Sequence, residues 1–523
     1  MKKSPETLFK LDRRQLLRAA GLIVGVGWAA AAPGSRILAQ ARFASNPFTL
    51  GVASGDPLPD GVVLWTRLAP SPLGRSGDGI PDGMISVEWI VASDERLTQI
   101  VQRGTTPAVA ELAHSVHVEV SGLEPNRVYY YQFRVGGEVS PLGRTKTAAA
   151  AGTKLNQLKL AVASCSDWQN GYFGAYRAIG EDDLDAVLHL GDYIYEYGPD
   201  PKGVRQHNGS EILTLEDYRR RYALYKTDAD LQAAHAVAPW IVTWDDHETE
   251  NNYAGDIPED NQPLEPFKSR KAAAYQAYYE HMPLRRSSLP RGSALQLYRR
   301  LTFGDLASLS MLDTRQYRTD QPNDDGLKPR SPAVTAASAT LTGPDQERWL
   351  LEGLGASQVR WNLIGQQVMM AQFDWQSGAG QVFNMDQWDG YLAARQRLLG
   401  FVESRKPNNP VVLTGDIHSA WVHDLKVDFD NPASPTVATE LITTSISADF
   451  PAQFIAPVTA ALTDNPHTKY FDGQNRGYMR LSLTPERLTS EFRAVSSIKE
   501  PASTARTVAS FVIENGRAGA QKA

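Results

Sequence analysis

The stretch WDDHETENNYAG, from Trp244 to Gly255, sets Asp245, Asp246, His247 and Glu248 in succession directly after the apolar run PWIVT. Three further apolar runs end in the same manner. LKLAVAS leads into Cys165 and Asp167, DAVLHLG into Asp192, and VVLTG into Asp416 and His418. Carboxylates packed together repel one another and raise each other's pKa. A bound cation removes that penalty and keeps the acids ionised. Carboxylate, imidazole and thiolate are also the side chains that ligate metals, so the chemistry these residues could share is that of a metal centre. Each end alone has a plain structural explanation, because an Asp after a strand is a common turn or helix-capping residue. Four such ends in one chain are less easily explained in that way.

The elements that must position them are legible from hydrophobic pattern. LKLAVASC, LDAVLHLGD, PWIVTWDD, LASLSMLD, RWNLIGQQVMM and PVVLTGD are short continuous apolar runs, the pattern of strands buried on both faces. Helical stretches such as KAAAYQAYYEHM and GYLAARQRLLGFVESR separate some of them, which makes residues 158–500 an α/β domain. Ligands bind such sheets at the carboxyl ends of the strands, where these ionisable groups stand. Gly191 and Gly415 precede Asp192 and Asp416 and would let the backbone turn tightly there. Upstream, residues 43–147 alternate apolar with polar in GVVLWTRL, ISVEWIVA, HSVHVEVSGL and RVYYYQFRVGG, which predicts a β-sandwich. AAAAGTKLNQ, from Ala148 to Gln157, reads as a linker, and Gln316 to Thr340 as an irregular surface loop. GYMRLSLTPERLTSEFRAV reads as a closing β-hairpin, and residues 501–523 as a C-terminal strand and tail.

Residues 1–41 are of a different kind. Arg13 and Arg14 precede an apolar stretch, and LAQA ends at Ala41 with the small residues that a signal peptidase needs. Paired arginines followed by Gln15, Leu16 and Leu17 fit a twin-arginine signal peptide, a route for proteins that are folded before export. The apolar run from Ala19 to Pro33 is short for a membrane span. The expected location is periplasmic or extracellular, with the export machinery as a partner and no membrane anchor after processing. The leader carries seven Lys/Arg and two Asp/Glu, so its removal takes the net charge from −6 to −11. So acidic a chain is ill suited to a stable nucleic-acid partner or to an anionic membrane surface. Cys165 is the single cysteine, so no internal disulfide can form. A lone thiol is ordinarily a small buried hydrophobe, but its place at a strand end beside Asp167 points elsewhere.

Taken in order, ASCSDW, LHLGDYIYEYG, WDDHETENNYAG, LDTRQYR, WDGY and LTGDIHSAW resemble the PhoD family of alkaline phosphatases and phosphodiesterases, members of the metallophosphoesterase superfamily. The resemblance spans roughly residues 45 to 495. Within it, WDDHE stands where metallophosphoesterases have Gly-Asn-His-Glu, and GDIHSAW resembles their final Gly-His-x-His. It implies a calcineurin-like αββα sandwich preceded by a fibronectin III-like β-sandwich. It also implies a centre of ferric iron and calcium, with Cys165 and Tyr195 ligating iron. Asp192 and Asp416 would hold or bridge metals, Asp246 would take the place of the asparagine, and His418 would complete the set. The alignment of DH with NH favours Asp246 over Asp245. His247 would face the substrate as the catalytic residue. Tyr195 could otherwise be a surface aromatic between Tyr193 and Tyr197, and His418 an ordinary hydrogen-bonded histidine. His189, inside a strand, reads as structural. Arg315 and Asp389 would support the centre or pin loops, and Trp244 would pack at its strand end.

The function this implies is hydrolysis of phosphomonoesters, phosphodiesters or both by a metal-activated water, in the service of phosphate scavenging. A phosphodiesterase acting on teichoic acid, phospholipid or nucleic acid is the rival within the class. A binding protein that kept the fold without turnover is the rival outside it. The sequence leaves the oligomeric state open, with a monomer as the simplest expectation.

Overall fold

The computed structural model describes residues 42–259 and 262–523. The leader read over residues 1–41 lies outside them. Among the described residues, no helix is long and apolar enough to cross a membrane.

Two large sheets pack face to face. At the centre of the first, which has ten strands, Leu158–Ala163, Ala186–Leu190 and Pro239–Thr243 run parallel. The second has seven strands, with Ala307–Met311, Trp361–Gly365, Pro410–Thr414 and Thr436–Ile442 parallel at its centre. Leu160, Val162, Leu188 and Ile241 of the first sheet meet Leu309, Leu363, Leu413 and Leu441 of the second in one core. The alternate residues Ala161, Ala163, Val187, Trp240 and Val242 face outward and pack under the helices Gly174–Glu181, Leu215–Lys226, Ala229–Val237 and Leu264–His281. Ile364, Val412 and Ile442 do the same beneath Gly343–Ala356 and Leu392–Arg405. Successive residues of a strand point to opposite faces, so strands covered on both sides read as unbroken apolar runs. The result is the expected αββα sandwich. The closing hairpin is also present, as Gly477–Leu483 paired antiparallel with Arg487–Val495.

The N-terminal region is a β-sandwich. One layer holds Ile85–Ala92, Ile100–Ala108 and Val128–Val135, and the other Val52–Leu58, Gly61–Arg67 and Ser115–Ser121. Val62, Leu64, Val87, Val118, Tyr131 and Phe133 fill the space between them. The second layer continues the ten-stranded sheet, because Val52–Leu58 pairs in parallel with Pro239–Thr243. Backbone hydrogen bonding therefore crosses the boundary that composition places at residues 148–157. Two buried contacts reinforce it. Trp65 Nε1 donates to the Glu280 carbonyl at 3.0 Å, and Arg67 donates to His281 Nε2 at 2.7 Å.

Candidate metal centre

The carboxyl ends of the parallel strands of both sheets bring the candidate residues together. Cys165, Asp192, Asp416 and His418 all adopt left-handed backbone there, with φ of +59°, +56°, +61° and +54°. Such a conformation costs a non-glycine residue roughly 1–3 kcal/mol and is retained where the surroundings enforce it. The sharp turns thus fall on the candidate ligands and on Gly191, and both preceding glycines are also needed for space. A Cβ at Gly191, whose φ is +111°, would lie 2.5 Å from Asp245 Cβ, and one at Gly415 would lie 2.8 Å from Ser164 Cβ.

The candidate residues fall into three overlapping groups. Ligand atoms of Cys165, Asp192 and His418 lie within 4.8 Å of one another, as do those of Asp192, Asp246 and His247, and those of Asp245, Asp246 and Asp416. Asp192 belongs to the first two groups and Asp246 to the last two, so the set is continuous. Tyr195 packs against Cys165, and its hydroxyl stands 3.2 Å from Asp192 Oδ2 and 3.0 Å from His418 Nε2. Of its neighbours, the Tyr193 hydroxyl pairs with His235 Nε2 at 2.8 Å, and the Tyr197 ring, 43% exposed, stands edge-on to the His247 ring at 5.4 Å. The Gly-Asp-x-x-Tyr spacing therefore brings one tyrosine hydroxyl among the candidate ligands.

Several groups hold this set in place. Glu248 accepts backbone N–H groups of Asp192, Tyr193 and Asp245 at 3.0, 2.5 and 2.8 Å, which ties the second strand end to the third. Arg315 is fully buried. It donates through Nε to Asp245 Oδ1 at 2.5 Å and grips Asp386 with two bonds of 2.8 Å. Its guanidinium is also 3.5 Å from Asp246 and 3.8 Å from Asp416. Gln387 donates to Asp416 Oδ2 at 2.6 Å. Asp245 thus has one oxygen committed to Arg315, whereas Asp246 receives the Asn252 N–H on Oδ2 at 2.7 Å. Asp167 stands apart from the metal-binding groups. It receives Gln169 N–H and the Asn170 amide at 2.8 and 2.6 Å, the pattern of a turn-forming aspartate. Asp389 pins loops through Arg395 and the Phe373 N–H at 2.8 and 2.9 Å. His189 pairs with Tyr176 at 2.9 Å and stacks on Trp240, and Trp244 stacks on Tyr275 at 4.1 Å.

Sequence reasoning missed Glu196. Its Oε2 is 2.8 Å from His247 Nδ1, and its Oε1 accepts the Asn251 N–H at 2.8 Å. The pairing leaves Nε2 as the ring nitrogen without a hydrogen bond. Asp386 and Gln387 were missed as well, although they directly precede the WDGY motif. The signal in each case was a polar residue close to a motif, which is too common to single out.

Electrostatics test whether a metal suits these residues. Burial pushes the Cys165 thiol well above its ordinary pKa, and Asp192 adds to this. Burial likewise pushes Asp192 well up, with Asp246 and Asp245 contributing against the opposing charge of His247. Burial raises Asp416 to about 6, and it lowers His418 to about 4 with help from His247 and Arg476. Asp246 is the exception: burial acts upward, but Arg315 and then His247 outweigh it. The buried oxygens Asp192 Oδ1 and Asp245 Oδ2 have no hydrogen-bond partner, and Asp246 Oδ1 has only the Arg315 guanidinium at 3.5 Å. Unpaired buried carboxylate oxygens cost several kcal/mol unless a cation neutralises them. Orphaned anionic oxygens beside a thiol and a phenol fit a metal centre with one softer, anionic half and one oxygen-rich half.

Two packed sheets with helices outside, carrying carboxylates and histidines on their strand ends, define the fold of this domain. Its fold is shared with a purple acid phosphatase, PPD1 from yellow lupin (Lupinus luteus) seeds, at a TM-score of 0.54 and 12% identity over 89% of this chain and 73% of that one. More specifically, the chain belongs to the PhoD-like phosphatase family. That family's model matches residues 160–492, and the model of the PhoD-like phosphatase N-terminal domain matches residues 30–149. Alkaline phosphatase D of Bacillus subtilis (strain 168) is 49% identical over 521 residues, which cover 98% of this chain and 89% of that protein. A solved structure of PhoD superposes with a TM-score of 0.88 at 50% identity, over 92% of this chain and 93% of that one.

Proposed function

We propose that this chain is a metal-dependent phosphatase that cleaves phosphomonoesters, phosphodiesters or both. Membership of the family makes it a phosphoric ester hydrolase. The observation that carries the metal reading is the continuous set from Cys165 through Asp192 and Asp246 to Asp416. In this reading Cys165, Tyr195, Asp192 and His418 hold ferric iron, and Asp192, Asp246 and Asp416 hold calcium. Thiolate and phenolate suit the first ion, and carboxylate oxygens the second. When bound, these cations supply Lewis acidity toward the phosphate oxygens and neutralise the charge that builds on them.

The chain's own residues do the rest. Glu196 holds His247 by Nδ1, so Nε2 can hand a proton to the departing alkoxide or steady the transferring phosphoryl group. The Tyr195 ring, 4.2 Å from the His247 ring, restricts its rotation. Arg315 fixes Asp245 and Asp386 and so sets the direction of Asp246. The leader motif supports export by the twin-arginine route to the periplasm or beyond, where the released phosphate would serve scavenging. The test is metal analysis of the purified protein paired with hydrolysis of a monoester and of a bis-ester. Hydrolysis of either with iron and calcium present is the expected result. A metal-free protein with full turnover would refute the metal centre, and a metal-loaded protein inert on both would refute the reaction.

A further inference from the structure

Three chain segments meet beside the His418 edge of the centre. One is the loop after Cys165, in which Asn170 caps Asp167. The second is the extension of the strand Thr436–Ile442. Its Ile446 N–H donates to the Ser164 carbonyl at 2.9 Å, and its Ser447 and Ala448 N–H groups donate to the Cys165 carbonyl at 3.3 and 3.2 Å. The Asp449 carbonyl then stands 3.3 Å from His418 Nδ1. The third is the connection between the hairpin strands Arg487–Val495 and Ala505–Glu514, whose Ile498 carbonyl accepts the Tyr172 N–H at 2.7 Å. Lys499 joins all three. Its Nζ donates to Asp449 Oδ2 at 2.8 Å and to the Asn170 carbonyl at 2.6 Å.

We infer that Lys499 is a latch that holds the Cys165 loop against the strap of residues 443–449, which contacts His418 through the Asp449 carbonyl, and so slows escape of the metal held by Cys165 and His418. The inference rests on the reading that Cys165, Asp192, Tyr195 and His418 hold that metal. Lys499 contacts no candidate ligand and acts through Asp449 and Asn170, so it is a positioning residue. Its side chain is 50% exposed and that of Asp449 48%. An ion pair so exposed adds little to global stability and is screened by salt. Local opening of the strap, in contrast, needs only the contacts that hold the strap. The signature of the latch is therefore kinetic and dependent on ionic strength.

The experiment uses the full-length iron-loaded protein and its Lys499→Met, Lys499→Arg and Asp449→Asn variants. Each is mixed with excess ferric chelator, and iron release is followed at low and high ionic strength. Lys499→Met and Asp449→Asn are expected to release iron about two- to fivefold faster at low salt, the range an exposed ion pair supports. Lys499→Arg should stay near the wild type. Added salt should speed release from the wild type and leave Lys499→Met unchanged, with the melting temperatures alike. Wild-type rates in both charge-removing variants, or equal acceleration of all forms by salt, would overturn the latch. A wild type that takes up no iron would overturn the ferric reading and the latch with it.

Discussion

The Glu196 carboxylate and the His247 imidazole are paired at 2.8 Å through Nδ1, with the second Glu196 oxygen fixed by the Asn251 N–H. The His247 ring cannot turn without breaking this pair, so the direction of Nε2 is set. Glu196→Gln keeps the shape and removes the charge. It should lower kcat about ten- to hundredfold with little change in KM, as loss of an orienting partner commonly does. The loss should be larger for an alkyl phosphate than for a p-nitrophenyl ester, whose leaving group needs no proton. Equal losses on both substrates would separate His247 from proton transfer.

If Tyr195 ligates ferric iron as proposed, it should give the centre an optical signature. A phenolate on ferric iron absorbs visible light by moving charge from ligand to metal. Tyr195→Phe should abolish or shift that band, while Tyr193→Phe and Tyr197→Phe leave it unchanged. The geometry behind this is the 3.2 Å approach of the Tyr195 hydroxyl to Asp192, against the pairing of Tyr193 with His235. A band that follows Tyr193 or Tyr197 would contradict the assignment.

The candidate site was legible because its residues sit at strand ends, and strands buried on both faces announce themselves as apolar runs. Cys165, Asp192, Asp246 and Asp416 each follow such a run. Arg315 and Asp389 were legible as supports, but Glu196 and the partner of Arg315, Asp386, were not, because the residues they pair with are distant in the chain. Glu196 and His247 are 51 residues apart, and Arg315 and Asp386 are 71 apart. No local pattern encodes such pairs. The parallel pairing of Val52–Leu58 with Pro239–Thr243 was hidden for the same reason. Composition changes at the linker, but sheet hydrogen bonding ignores it.

Calcium and iron should differ in lability. Carboxylate oxygens release calcium readily, whereas an anionic thiolate and phenolate retain a ferric ion. A calcium-selective chelator is expected to abolish activity with iron retained, and added calcium to restore it. Full activity with calcium verified as absent would remove calcium from the reaction.

Lys226 sets a pH dependence of stability. It is buried, with its ammonium 4.3 Å from the centroid of the Trp65 ring and 5.3 Å from that of Tyr193. Burial lowers its pKa from 10.5 to about 7. Between those values the unfolded chain binds more protons than the folded one, so stability contributed through this group rises with pH across the window. Below pH 7 the buried charge carries its full cost. Lys226→Met should therefore be more stable than the wild type at pH 7, and its advantage should fall as the pH rises toward 10. Denaturant titrations at both pH values measure it. A gap independent of pH would show that the ammonium is not held against its charge.

Cys165, one thiol at a strand end, is proposed to tie this fold to a metal. Iron analysis of the wild type and of Cys165→Ala, each shown to be folded, tests it most directly. Stoichiometric iron in the wild type and its loss from Cys165→Ala is the predicted result. Equal iron in both proteins, or none in a folded and active wild type, would contradict it.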